Sequence, residues 1–250
     1  MPNHSFTFNG TNSLNMGIKV ERFPTIIHAR RKYERISVPG RNGDLLFPEE
    51  AFENYTQPYE VYAGDPDEWI DIVSWLMPYK SSVTVDDYIN LTVNGYYQLT
   101  DTYEPDVIRL ANYMEESDIA NAWNKKGRTT LYFDCRPERF TSDAFTVVTK
   151  TSSGGYLTNN TQQNAKPFLK VYGSGAGALV VNGYVINISD MADYLNIDCE
   201  SQNCFRLLAE NRNSLITLTN GFPVLSSGRN YITWSGGVTS VDIYPRWWNL

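Results

Sequence analysis

Histidine and cysteine are scarce in this 250-residue chain, with two of the first and three of the second. His4 stands near the terminus and His28 beside Ala29-Arg30-Arg31, neither with a nucleophile at motif spacing, so a nucleophile–base–acid triad has no support. Three thiols leave one over in any pairing, and Cys199, Cys204 and a distant Cys135 fall short of a structural zinc set. No metal or other cofactor is expected. Cys199 and Cys204 bracket the turn from Glu200 to Asn203 and stand where a hairpin would bring them together, yet reduced buried thiols suit a chain expected in a cytoplasm. The chain has no uninterrupted apolar run of about 18 residues and no basic start followed by an apolar stretch, which argues against a membrane span and a secretory leader. Positive charge is also short. The 21 Lys and Arg against 28 Asp and Glu leave a net charge of −7, the wrong sign for a protein that draws affinity from phosphates. That sign is compatible with DNA that slides past without sticking.

Motifs that carry chemistry are missing as well. SGAGALV has no lysine after its glycines and leads into a hairpin, so a turn of small residues accounts for it better than a phosphate cradle. The acidic pairs Glu49/Glu50, Asp86/Asp87 and Glu115/Glu116 are adjacent in sequence; on a strand such neighbours point to opposite faces and cannot flank one glycosidic bond. The chain reads as a non-enzyme.

What is present is β-forming. Composition lies in the globular range, at 42% hydrophobic and 20% charged, with 17 Tyr and 6 Trp; aromatics fit pleated surfaces and interfaces. One helix is expected near 66–77, in GDPDEWIDIVSWLMPY. Asp65 is its N-cap, Pro66 its first residue, and Glu68 completes a capping box. Trp69, Ile72, Val73 and Leu76 make one apolar face, and Pro78 ends the run. Elsewhere SFTFNG alternates Phe6 and Phe8, and TLYFDC places Leu131, Phe133 and Cys135 on one face. INLTVNGYYQL and ALVVNGYVINI each carry Asn-Gly between alternating arms, a hairpin signature. Residues 149–165 are polar and rich in Gly, Ser and Asn, and read as a linker or surface loop. Eight short strands follow, from PFLKVYG to TSVDIYP, with turn signals between them, as in a sandwich. The expected organisation is a first domain over 1–140, a connecting segment over 141–165 and a second domain over 166–250, with the last strand belonging to either.

Charge is segregated. Between His28 and Arg41 the cations Arg30, Arg31, Lys32, Arg35 and Arg41 meet only Glu34, whereas Asp44 to Asp87 holds eleven acids against Lys80. A solvated edge strand explains such a strip; so does a surface that binds copies of itself head to tail, and heterologous contacts of that kind close into rings. Within VPGRNGDLLF, Pro39-Gly40 starts a tight turn, Gly43 supplies a backbone angle other residues resist, and Leu45-Leu46-Phe47 sets three large apolar side chains in a row. Either that run returns to its own core or it is covered by a neighbouring copy.

FTFNGTNSLNMGIKV, VPGRNGDLLF, LYFDCRPERF and GRNYITWSGGVTSVDIYPRWWNL resemble, in that order, the distal tail proteins of long-tailed bacteriophages. The resemblance implies a mainly β protein: an N-terminal β-sandwich or split-barrel domain with one α-helix and a hairpin arm, then a C-terminal galectin-like β-sandwich. It implies a homohexameric ring at the tail tip, single or as stacked rings, assembled in the host cytoplasm. That ring would join the tail tube protein to the tail-tip hub and peripheral or receptor-binding baseplate proteins, and let DNA pass its channel unbound. Membrane contact is not implied. Arm or intersubunit residues would be Arg30, Arg31, Arg35, Arg41, Leu45, Leu46, Phe47, Glu49 and Glu50. Domain-packing residues would be Trp69, Phe133, Trp234, Trp247 and Trp248, the last two in the tail PRWWNL. Glu138-Arg139 stands where relatives tend to carry aromatic residues. The competing reading is a carbohydrate-binding adhesion module using Tyr156, Tyr184 or Trp234 as a sugar platform; a cell-wall glycan hydrolase comes third.

Overall fold

A computed structural model of the chain describes residues 4–63, 69–114 and 127–250. It is mainly β, and contacts divide it into two compact units: Met1–Tyr79 with Gly95–Arg139 and Leu250, and Lys80–Asn94 with Phe140–Asn249. Residues 80–94 therefore group with the second unit, although the sequence places them inside the first.

In the first unit the strands are β1 (Phe6–Phe8), β2 (Thr11–Asn12), β3 (Ile18–Val20), β4 (Arg31–Ile36), β5 (Leu45–Phe52), β6 (Tyr55–Ala63), β7 (Tyr97–Asp101), β8 (Val107–Met114) and β9 (Arg128–Thr141). All but β4 and β5 join one sheet in the order β2-β1-β7-β8-β9-β6-β3. Alternation along β9 buries Leu131, Phe133 and Cys135 on one face, as expected. Phe133 lies at the centre of a ring cluster with Phe6, Phe8, Tyr59 and Tyr113. The helix α1 (Trp69–Leu76) packs Ile72 and Leu76 into this core, and the Trp75 indole N–H donates to the Phe8 carbonyl at 3.1 Å. The expected cap at Asp65, Pro66 and Glu68, and the Trp69 side chain, lie outside the described residues, as do Glu115 and Glu116.

A second helix, α2 (Val85–Ile89), which the sequence reading did not expect, stands just before INLTVNGYYQL, and the first arm expected there turns instead of forming a strand. Local capping holds the helix. The Thr84 hydroxyl accepts from the Asp87 N–H, and the Asp87 carboxylate accepts from the Thr84 N–H at 2.7 Å. Asn94-Gly95 survives as a turn into β7.

The second unit contains β10 (Val148–Lys150), β11 (Gly155–Asn159), β12 (Phe168–Val181), β13 (Tyr184–Ile188), β14 (Ala192–Asp198), β15 (Asn203–Phe205), β16 (Ile216–Thr219), β17 (Gly228–Tyr244) and β18 (Trp248–Asn249). Four of the short strands read from sequence are in fact halves of two long ones. β12 pairs with β17 from Phe168 opposite Tyr244 to Val181 opposite Ile232, with register shifts at Tyr172/Gly173 and Gly173/Gly177. Around these shifts the pair changes neighbours. One half carries β14 and β10 at its sides, and the other carries β13 and β11. The bend requires glycine: a Cβ on Gly237 would sit 1.8 Å from the Ser174 carbonyl oxygen, and one on Gly173 2.0 Å from that of Gly237. SGAGALV is thus neither a turn nor a cradle but the place where two strands cross too closely for side chains. The polar segment expected as a linker contributes β11, paired residue for residue with Gly228–Ile232. Backbone hydrogen bonding needs no hydrophobic pattern, so composition hid it.

Leu169, Val171, Leu179, Val181, Ile232 and Ile243 face a common core. Asn182-Gly183 closes β12 and β13 with φ of 49° and 86°, the expected tight hairpin. Cys199 and Cys204 flank the β14–β15 hairpin as separate buried thiols, Cys204 opposite Ile197; burial pushes the Cys204 thiol up to about 12.

Arg246 is wholly buried, its guanidinium 2.6 Å from the Asp198 carboxylate and donating to the carbonyls of Tyr88 and Ile89 at the end of α2. Sequence gave no sign of this clamp.

Candidate interaction surface

β4 and β5 pair only with each other. Every residue from 30 to 44 is exposed. The tip is a β-turn in which the Arg41 N–H donates to the Val38 carbonyl at 3.1 Å, Pro39 precedes Gly40, and Gly40 has φ 82°, which marks type II. Gly43 has φ 81°. The turn is locked by backbone; the Arg41 guanidinium is exposed and has no ion pair among the described residues.

Pairing register fixes which side chains share a face. Tyr33 stands opposite Pro48 and Arg35 opposite Leu46, while Glu34 stands opposite Phe47 and Ile36 opposite Leu45. Directly paired residues project to the same side of an antiparallel ribbon. One face therefore shows Tyr33 and Leu46, the other Ile36, Leu45 and Phe47. Leu46 remains 54% exposed and Phe47 51%. A soluble hairpin normally turns one face to a core and the other to water. This one offers apolar groups on both, and among the described residues no third strand pairs with it.

The root of the hairpin is firm. The Glu53 N–H donates to the Arg30 carbonyl at 2.8 Å, and the Arg31 guanidinium lies 5.0 Å over the Phe52 ring while reaching the Glu49 carbonyl. On the incoming leg, Gln57 donates to the Thr25 carbonyl at 3.1 Å, and Ile27 and Ala29 pack on the core. On the outgoing leg, Asn54 bridges the Tyr96 hydroxyl and the Asp134 carboxylate. Tyr55 and Tyr59 then enter the interior, Tyr59 donating to Asp101 at 2.7 Å. Beneath them Arg109, fully buried, pairs with Asp101 and Glu104, and Arg139 shares Glu104. Arg139, where an aromatic was expected, thus serves an ion network. Burial raises the Tyr59 hydroxyl well above its ordinary value, with Asp101 adding to it. The Cys135 thiol is pushed up to about 12 by burial. Both groups stay neutral at ordinary pH and supply no reactive centre.

The sequence-derived arm residues Arg30, Arg31, Arg35, Arg41, Leu45, Leu46, Phe47 and Glu49 are all brought to this one projection; the Glu50 side chain lies outside the described residues. Sequence reading passed over Tyr33, Ile36 and Val38, although the alternation in KYERISV was the available signal. Trp234, Trp247 and Trp248 are placed in or against the core of the second unit. The sugar-platform candidates do not form one surface. Trp234 is paired with Leu179 and Tyr184 with Val181, both core-facing positions, whereas Tyr156 is paired with Tyr231, one parity away on the outer face. The Arg229 guanidinium sits 4.0 Å over the Tyr156 ring. Among the described residues no group of three His, Cys, Asp or Glu side chains converges as a metal site, and no helix is long and apolar enough to cross a membrane.

No family model matches the chain, and no curated protein matches its sequence. Its fold is that of a solved phage protein: SPP1 Dit, described as a paradigm of the hub adsorption apparatus in phages infecting Gram-positive bacteria. The two superpose with a TM-score of 0.65 at 12% identity, covering 96% of this chain and 98% of that one.

Proposed function

We propose that the chain is a structural hub of a phage or prophage tail, a homohexameric ring that joins the tail tube to the tail tip and leaves a central passage for DNA. The observation that supports this reading is the two-faced apolar hairpin, anchored at its root and joined to no further strand among the described residues, with Leu46 and Phe47 about half exposed. Isolated two-stranded ribbons are at best marginally stable in water, and exposed apolar surface of this kind marks a contact. A fold shared along nearly its whole length with a phage hub protein supports the same reading.

A projecting donor that fits a different surface on the next copy makes a heterologous contact, which closes into a ring when the rotation between copies allows. The surplus of acids, −7 overall, suits a wall past which phosphates slide. In this reading the tube protein docks on one face of the ring, the tail-tip protein on the other, and peripheral proteins outside; no reaction is catalysed. Negative-stain images of the purified chain are expected to show an annulus with six-fold symmetry. Fields of single compact particles at all concentrations would refute it.

A further inference from the structure

The outer face of the second unit carries a row of planar side chains beside its core rather than in it. Tyr156 on β11 stands directly opposite Tyr231 on β17, and Arg229, two residues back along β17, shares their side of the sheet. The two rings are 5.0 Å apart at a tilt of 47°, and the Arg229 guanidinium lies 4.0 Å over the Tyr156 ring. Both tyrosines are about half exposed, at 50% and 44%, whereas Leu157 and Asn230, the next residues along each strand, turn inward. A second cation reaches the same place: the Lys150 ammonium donates to the Tyr156 carbonyl at 3.0 Å. Among the described residues neither Arg229 nor Lys150 has an ion pair, in a chain whose net charge is −7.

Stacking on Tyr156 fixes the plane of the guanidinium, so its fork of N–H donors is set for a carboxylate at small entropic cost. The tyrosines beside it offer apolar ring faces and hydroxyl tips, which suit a ligand with C–H faces and a polar rim. Among the described residues β11 pairs only with β17, and Lys150, bound to its backbone, guards that edge against an added strand. The face of the strand rather than its edge is therefore the part open to a ligand. We propose that this row binds an acidic saccharide: a sugar ring lies against the two tyrosines and its carboxylate is held by Arg229, with Lys150 adding to the attraction. The site goes beyond the hub reading and does not depend on it.

Saturation-transfer difference NMR on the intact chain tests this with D-glucuronate, D-glucose and acetate. Glucuronate is expected to receive saturation at its ring protons and to bind about threefold or more tighter than glucose, while acetate, which has no ring, receives none. Arg229→Gln should bring glucuronate down to the level of glucose, and Tyr231→Ala should remove transfer to both. Both positions are exposed, and circular dichroism checks that the fold is kept. Tyr79→Ser, which removes a ring 92% exposed in the other unit, should change nothing. No transfer to glucuronate, glucose bound as tightly, acetate saturated as strongly, undiminished transfer in the Arg229 or Tyr231 variant, or a loss in the Tyr79 variant overturns the site. None of these outcomes touches the mass of the assembly, on which the hub reading is judged.

Discussion

Replacing Leu46 and Phe47 by serine probes the hairpin where its energy lies. Each side chain is already about half covered within its own chain, at 54% and 51% exposure. Full burial of a Leu or Phe is worth about 1.5–3 kcal/mol, so the half left to be covered by a neighbour is worth about 0.8–1.5 kcal/mol for each. The pair then contributes about 1.5–3 kcal/mol to every contact, and at about 1.4 kcal/mol per tenfold the association weakens about 10- to 100-fold. Folding is not expected to suffer, because neither residue belongs to the core of the first unit. Sedimentation velocity over a concentration series reads the association, and circular dichroism reads the fold. The double variant should dissociate at concentrations where the parent stays assembled, with an unchanged spectrum. An assembly that persists unweakened would refute the role given to the hairpin, since Leu46 and Phe47 are the most exposed apolar groups on its two faces.

Three further outcomes test the packing beneath. Gly237→Ala places a Cβ 1.8 Å from the Ser174 carbonyl oxygen, a clash with backbone that should lower stability by about 3 kcal/mol in denaturant unfolding. Arg246→Ala leaves Asp198 buried and unpaired and frees the carbonyls closing α2, so a loss of about 3–5 kcal/mol is expected. Burial pushes the Asp87 carboxyl upward, but hydrogen bonds from Lys80, Thr84 and Thr92 outweigh it and hold it at about 2, below its ordinary 3.8. A folded value lower than the unfolded one stabilises above the unfolded value and fades as pH falls. About 2 kcal/mol should therefore disappear between pH of about 4 and about 2, and Asp87→Asn should flatten that part of the melting profile.

Much of this architecture is legible before any coordinates. Leu131, Phe133 and Cys135 alternate because one face of β9 is a core, and Asn182-Gly183 can hold the left-handed angles that a tight hairpin demands. The hairpin tip is equally plain, since proline followed by glycine defines its turn locally. What sequence conceals is decided at a distance. Thr84 and Asp87 cap a short α2 that the sequence reading did not expect, and the arm expected before Asn94 turns instead of extending. β12 and β17 look like four strands because glycines interrupt their periodicity, yet the glycines are what let them stay paired through the bend. The β11 residues are recruited by an edge of β17 through backbone groups that every residue has. Arg109 and Arg246 look like surface cations until folding brings their carboxylates beside them, Asp101 from the neighbouring strand and Asp198 from 48 residues away. For the interaction surface, sequence marks the apolar run and the basic strip; only the register shows that apolar groups occupy both faces.

The most direct test of the hub reading is the mass of the intact chain's assembly by native mass spectrometry. The account predicts a dominant species of six times the 28.5 kDa protomer, or a multiple of it where rings stack. A protomer or a two-fold dimer as the sole species across the accessible concentration range would contradict it.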